Sequence, residues 1–133
     1  MENVIKVLVV AGVVLEKNGK FLLVQEAKPE VRGLWNVPAG RVENGFTIKE
    51  TAIKEAKEES GFDVELLEEI AVLHKDGDEA VKHIFRAKII GGEINFPEGE
   101  ILDARWFSLQ EIESMKDQLR REWVLEVIRK VAN

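Results

Sequence analysis

The chain has 133 residues, 45% of them hydrophobic and 33% charged, with no cysteine and a net charge of −6. That length suits one compact domain burying roughly two thirds of its unfolded surface, so a single domain over residues 1–133 is expected. The missing cysteine excludes a disulfide framework, a thiolate metal site and a cysteine nucleophile, and the acidic balance argues against extended binding to a nucleic-acid polymer.

The opening MENVIKVLVV is apolar but broken by Lys6 and soon by Gly12, so neither a signal peptide nor a membrane span is expected. A cysteine-free chain fits a reducing compartment, and a cytoplasmic location is the expectation. Val4 to Leu15 is rich in β-branched residues, followed by Asn18-Gly19 and the apolar run Phe21 to Val24. This pattern predicts a β-hairpin closed by a tight turn. Ala27 to Gly33 carries Pro29 and reads as a loop, leading into a short extended segment, Leu34 to Val37, stopped by Pro38. Pro38-Ala39-Gly40 reads as a tight backbone turn.

Thr47-Ile48-Lys49-Glu50 forms a capping box, so a helix starts there, and Gly61 ends it. Extended segments are predicted at Val64 to His74, Ala80 to Ile90 and around Arg105 to Phe107, separated by Lys75-Asp76-Gly77-Asp78 and Gly91-Gly92. Ser108-Leu109-Gln110-Glu111 is a second capping box, opening a helical tail with apolar positions Trp123, Val124, Val127, Ile128 and Val131. Strands, one central helix, more strands and a terminal helix imply an α/β or α+β sandwich, a mixed sheet with helices packed on it.

The central helix crowds three carboxylates into KEAKEESG, residues 54–61. On a helical wheel with Ile48 at zero, Ala52, Ala56 and Ile53 fall near about 40°, 80° and 140° and predict the buried arc. Glu58, Glu55 and Glu59 fall near about 280°, 340° and 20°, on the border of that arc or inside it. Like charges at this spacing repel, and more strongly where burial lowers the dielectric. Lysine or arginine from elsewhere, raised pKa values or a divalent cation would each relieve the repulsion. Of these, the cation alone uses several carboxylate oxygens on one side at once.

The stretch PAGRVENGFTIKETAIKEAKEESGF, residues 38–62, resembles the signature of the Nudix hydrolases. Gly40, Glu55, Glu58, Glu59 and Gly61 stand at the spacing of that pattern, and GLWNVPAG, KHIFRAKI and EILDARWFSLQEI extend the likeness over most of the chain. The resemblance implies the Nudix fold, a mixed sheet sandwiched between helices. It also implies Mg²⁺ or Mn²⁺ as cofactor, and hydrolysis of a phosphoanhydride bond in a nucleoside diphosphate derivative such as a nucleoside triphosphate or an ADP-ribose-like compound. By resemblance, Glu55 and Glu59 are direct metal ligands, Glu58 serves a second ion or a bound water, and the Ala39 or Gly40 carbonyl adds an oxygen. The same three glutamates are the catalytic candidates.

Arg32, Trp35 and Glu100 are candidates for substrate contact: a guanidinium for phosphate, an indole for a base, and a carboxylate for the general base or an extra ligand. Lys28 and Glu98 are the neighbouring candidates. The expected partner is a small nucleotide or pyrophosphate substrate, with a homodimer left open. Three positions depart from the family pattern: Phe46 replaces a glutamate, Lys54 an arginine and Ala56 a larger aliphatic residue. Phe46 is expected to pin the loop by apolar burial in place of the lost ion pair. The alternative is a catalytically weakened Nudix-fold module that binds a nucleotide.

Overall fold

The computed structural model describes residues 3–132. Strands β1 (Leu8–Lys17) and β2 (Lys20–Glu26) form the predicted hairpin. Its turn is Asn18-Gly19, both residues at positive φ, 54° and 75°, as a loop matched to strand twist requires. β1 begins later than expected, and Val4 and Ile5 ahead of it are exposed.

Strand β3 (Trp35–Asn36) pairs with β2, and strand β4 (Ala39–Arg41) pairs antiparallel with β1. The backbone at Ala39 and Gly40 is therefore extended strand, not the predicted tight turn. Helix α1 (Ile48–Ser60) begins at the Thr47 capping box and ends at Gly61, whose φ of 88° is the left-handed cap. Strands β5 (Phe62–Leu73), β6 (Ala80–Gly92) and β7 (Ile101–Ser108) follow, and β7 is longer than the predicted segment.

The second capping box opens only a short helix, α2 (Leu109–Ser114), and the predicted continuous tail is interrupted before α3 (Glu122–Ala132). The cause is a competing backbone bond: the Arg120 N–H donates to the Trp35 carbonyl at 2.7 Å, and Leu119 bridges Trp35. Residues 119–120 thus join β3 instead of a helix.

The seven strands form a mixed sheet in the order β3-β2-β1-β6-β5, with β4 on β1 and β7 on β2. β1 and β6 run parallel from Leu8 opposite Ala80 to Leu15 opposite Ala87. Strand alternation divides the core. Val14, Phe21, Leu23 and Ile84 pack with Ile112, Val124, Val127 and Ile128 of α2 and α3. Ala11, Val13, Leu22 and Phe85 pack with Ala52 and Ala56 of α1. The result is the α+β sandwich read from the sequence. Among the described residues, no helix is long and apolar enough to cross a membrane.

Candidate active site

Helix α1 meets the sheet through alanine. Ala52 and Ala56 are fully buried, and Thr51 and Ser60 are buried as well, whereas Ile53 is 42% exposed. The buried arc is therefore rotated away from Ile53 and towards Glu55 and Glu59, a correction to the wheel. Small residues at the contact let the helix approach the sheet closely, so the adjoining carboxylates reach the backbone of β4.

Glu59 accepts a hydrogen bond at Oε1 from the Ala39 N–H, 3.0 Å away. Glu55 lies against Gly40, where an added Cβ would overlap its carboxyl group. Gly40 is thus required by the space that carboxylate occupies. The Pro38 carbonyl accepts from the Val13 N–H at 3.0 Å and so faces β1. Alternation then turns both the N–H and the C=O of Ala39 to the other edge, beside Glu59, and returns the Gly40 carbonyl to β1. Of the two carbonyls expected as donors, Ala39 is the one free of the ladder.

Burial pushes the Glu59 carboxyl well above the usual carboxylate range; the Ala39 N–H opposes this, while the charges of Glu55 and Glu26 reinforce it. Burial also raises Glu55, with Glu58 adding to the effect and Lys54 opposing it. Glu58 is the outlying member, its side chain 46% exposed and 3.5 Å from the Lys54 ammonium. Lys54 also stands 3.7 Å from Glu43 and 4.0 Å from Glu55.

These carboxylates line a groove of ≈ 1030 Å³ together with Glu26, Glu100 and Asn36. Asn36 is 6% exposed, and its Oδ1 is the one buried side-chain nitrogen or oxygen among the described residues without a hydrogen-bond partner. An unpaired buried acceptor costs free energy that a ligand donor would recover.

Among the described residues, no three carboxylate or imidazole groups converge into a ready-made cation cage. Glu58 is instead paired with Lys54 at 3.5 Å, in a partly exposed contact that solvent screens. The donors present are oxygens, as hard cations prefer, and two of them are crowded carboxylates short of compensating charge. In donor chemistry they fit a divalent ion, and Glu58 lines the same groove.

A family model described as the NUDIX domain matches residues 6–128. The chain belongs to the Nudix family. Putative nudix hydrolase 1 of Caenorhabditis elegans is 38% identical over 116 residues, which are 84% of this chain and 32% of that protein. The 8-oxo-dGDP phosphatase NUDT18 of Homo sapiens is 39% identical over 102 residues, 74% of this chain and 31% of that protein. The chain thus spans about a third of the length of these curated relatives. A solved NUDIX hydrolase from Nitrosomonas europaea shares 25% identity and a TM-score of 0.84, covering 95% of this chain and 88% of that one.

Within the Nudix frame, the replacement of the family's ion pair takes an unexpected form. Phe46 is 45% exposed, so it does not pin the loop by burial. Instead the Lys54 ammonium lies 5.1 Å from the centre of its ring. A cation–π contact stands where the pattern has two opposite charges.

Glu55, Glu58, Glu59, Ala39, Gly40 and Glu100 are brought together on the groove. Arg32 and Trp35 are not. Arg32 donates from Nη1 to the Ala27 carbonyl at 3.1 Å. Trp35 is 6% exposed and packs edge-on against Phe107 at 5.0 Å, within the core. The groove also contains residues that the sequence reading passed over: Glu26, Asn36, Lys82, Arg120 and Arg121. Glu26 Oε2 accepts from Arg120 Nη1 at 2.9 Å, across 94 positions of chain. Asn36 alone had a sequence signal, since alternation places it opposite the buried Trp35.

Two outcomes follow from this geometry. Gly40→Ala is expected to keep the unfolding free energy within ~1 kcal/mol, because the clash is with a side-chain end, yet to lower activity by about a hundredfold through displacement of Glu55. Denaturant titration and steady-state kinetics on the one preparation check both halves. The raised carboxyls also set a sign for pH dependence. Between the usual value of 4.5 and the raised one, the folded chain binds more protons than the unfolded chain, so stability falls as pH rises. In chelator, the free energy of unfolding should increase as the pH is lowered from above the raised range toward the ordinary carboxylate value, and Glu59→Gln should flatten that slope.

Proposed function

We propose that residues 1–133 work as a single Nudix domain that hydrolyses a phosphoanhydride bond in a nucleoside diphosphate derivative, with Mg²⁺ or Mn²⁺ as cofactor. The observation that carries this reading is the pair Glu55 and Glu59, crowded against the backbone of β4 with both carboxyls raised above their ordinary range. Family membership supports the reaction class, and the nucleotide named for NUDT18 supports a nucleotide ligand.

Glu55, Glu59 and the Ala39 carbonyl would hold the cation, and Glu58 a second ion or a bound water. When bound, the cation supplies positive charge and Lewis acidity where phosphate oxygens gain negative charge. The chain's own residues do the rest. The Ala39 N–H fixes the orientation of Glu59, and Gly40 leaves Glu55 the volume it needs. Water forms the new bond to phosphorus as the bridging P–O bond breaks, and its proton passes to a carboxylate of the cluster, with Glu100 at the same groove as the outer acceptor. Asn36 Oδ1 stands ready for a donor on the nucleotide, and Lys28 for a phosphate oxygen.

A second reading, a weakened module that binds without cleaving, is favoured by one observation, the hold of Lys54 on Glu58. Incubation with nucleoside triphosphates, ADP-ribose, dinucleoside polyphosphates and nucleotide sugars separates the two. Hydrolysis of at least one compound is expected with Mg²⁺ and not with EDTA, and Glu59→Gln should remove it while the circular dichroism spectrum is kept. Compounds that bind yet stay intact would favour the module, and full turnover by Glu59→Gln would take Glu59 out of the mechanism.

A further inference from the structure

The groove has a second cluster of like charges. Lys82 of β6 and Arg120 and Arg121 of the turn before α3 all line it. The Arg120 guanidinium is paired with Glu26 at 2.9 Å. Among the described residues, neither Lys82 nor Arg121 has a carboxylate oxygen within 4.0 Å. Asp78 and Glu79 line the same groove, but Asp78 already accepts from the Lys75 N–H at 2.7 Å.

The cluster is built, not loose. Lys82 is half-buried, and its ammonium sits 5.6 Å from the centre of the Trp123 ring, which fixes it while leaving its N–H groups unspent. Burial pulls its pKa down; Asp78 opposes this, and Arg121 and Arg120 add to it. The turn carrying the arginines is tied to β3 by the Arg120 N–H to Trp35 bond, one residue from the orphan acceptor of Asn36. Cations held together in a chain of net charge −6 raise the local potential until an anion arrives.

We infer that Lys82 and Arg121, with Arg120 beside them, form a subsite for a phosphate group outside the diphosphate held at the carboxylates. The inference rests on the hydrolase reading for the place of that diphosphate. The substrate class is then a nucleotide with at least three linked phosphates, because a diphosphate bearing an uncharged moiety would leave two cations unmatched. Guanidinium and ammonium donors suit phosphate oxygens in geometry and charge.

Calorimetric titration of the intact chain with inorganic tripolyphosphate and with pyrophosphate, in Mg²⁺ at fixed ionic strength, tests this. The wild type should bind tripolyphosphate at least about tenfold more tightly than pyrophosphate, and the double variant Lys82→Gln, Arg121→Gln should lose that preference while binding pyrophosphate within about twofold of wild type. Arg121→Gln alone, at an exposed position, should lose part of it without risk to folding. Equal affinities in the wild type, a preference kept by the double variant, or equal weakening of both ligands would overturn the subsite. A wild type that shows the preference and hydrolyses no nucleotide would sink the hydrolase reading and leave the subsite standing.

Discussion

The structure turns on the meeting of α1 with β4, where two glutamates are pressed against the backbone at Ala39 and Gly40. Everything local serves that contact. Alanines at the helix interface bring the helix in, and a glycine makes room for one carboxylate. A backbone N–H orients the other. Burial, with neighbouring carboxylates, leaves both carboxyls raised, which is a cost to the folded chain that a ligand of opposite charge would offset.

The same logic applies to the other side-chain set in the groove, with the sign reversed. Lys82, Arg120 and Arg121 crowd positive charge where the glutamates crowd negative charge. The proposed polyphosphate and its counterion would answer both at once, the ion at the carboxylates and the phosphate oxygens at the cations. The Glu26 to Arg120 pair joins the two sets and fixes one guanidinium in place.

Much of this was legible in the chain. The Asn18-Gly19 turn, both capping boxes and the Gly61 cap carry their geometry in residues that are adjacent or three apart, so local chemistry was enough. The strand at Ala39–Arg41 was misread because proline and glycine signal a turn locally, while pairing with β1 decides otherwise. A wheel locates a stripe but not what packs on it, so it places Ile53 inside when the helix turns it outward, and Phe46 stays exposed because a nearby lysine meets its ring. The family signature brought out Glu55, Glu58 and Glu59. Residues such as Arg120 and Lys82 were invisible because they share no period or spacing with the box. They enter the groove only through a backbone bond to β3 and the parallel pairing of β6 with β1.

The buried pair on α1 is proposed to hold a doubly charged cation. Isothermal titration of the metal-free chain with Mg²⁺ or Mn²⁺ addresses it without any assumption about substrate. Saturable uptake is expected in the wild type, with release of protons as the raised carboxyls ionise, and its loss when Glu55 and Glu59 are both changed to glutamine. No uptake by the wild type, or uptake that persists unchanged in the double variant, would contradict it.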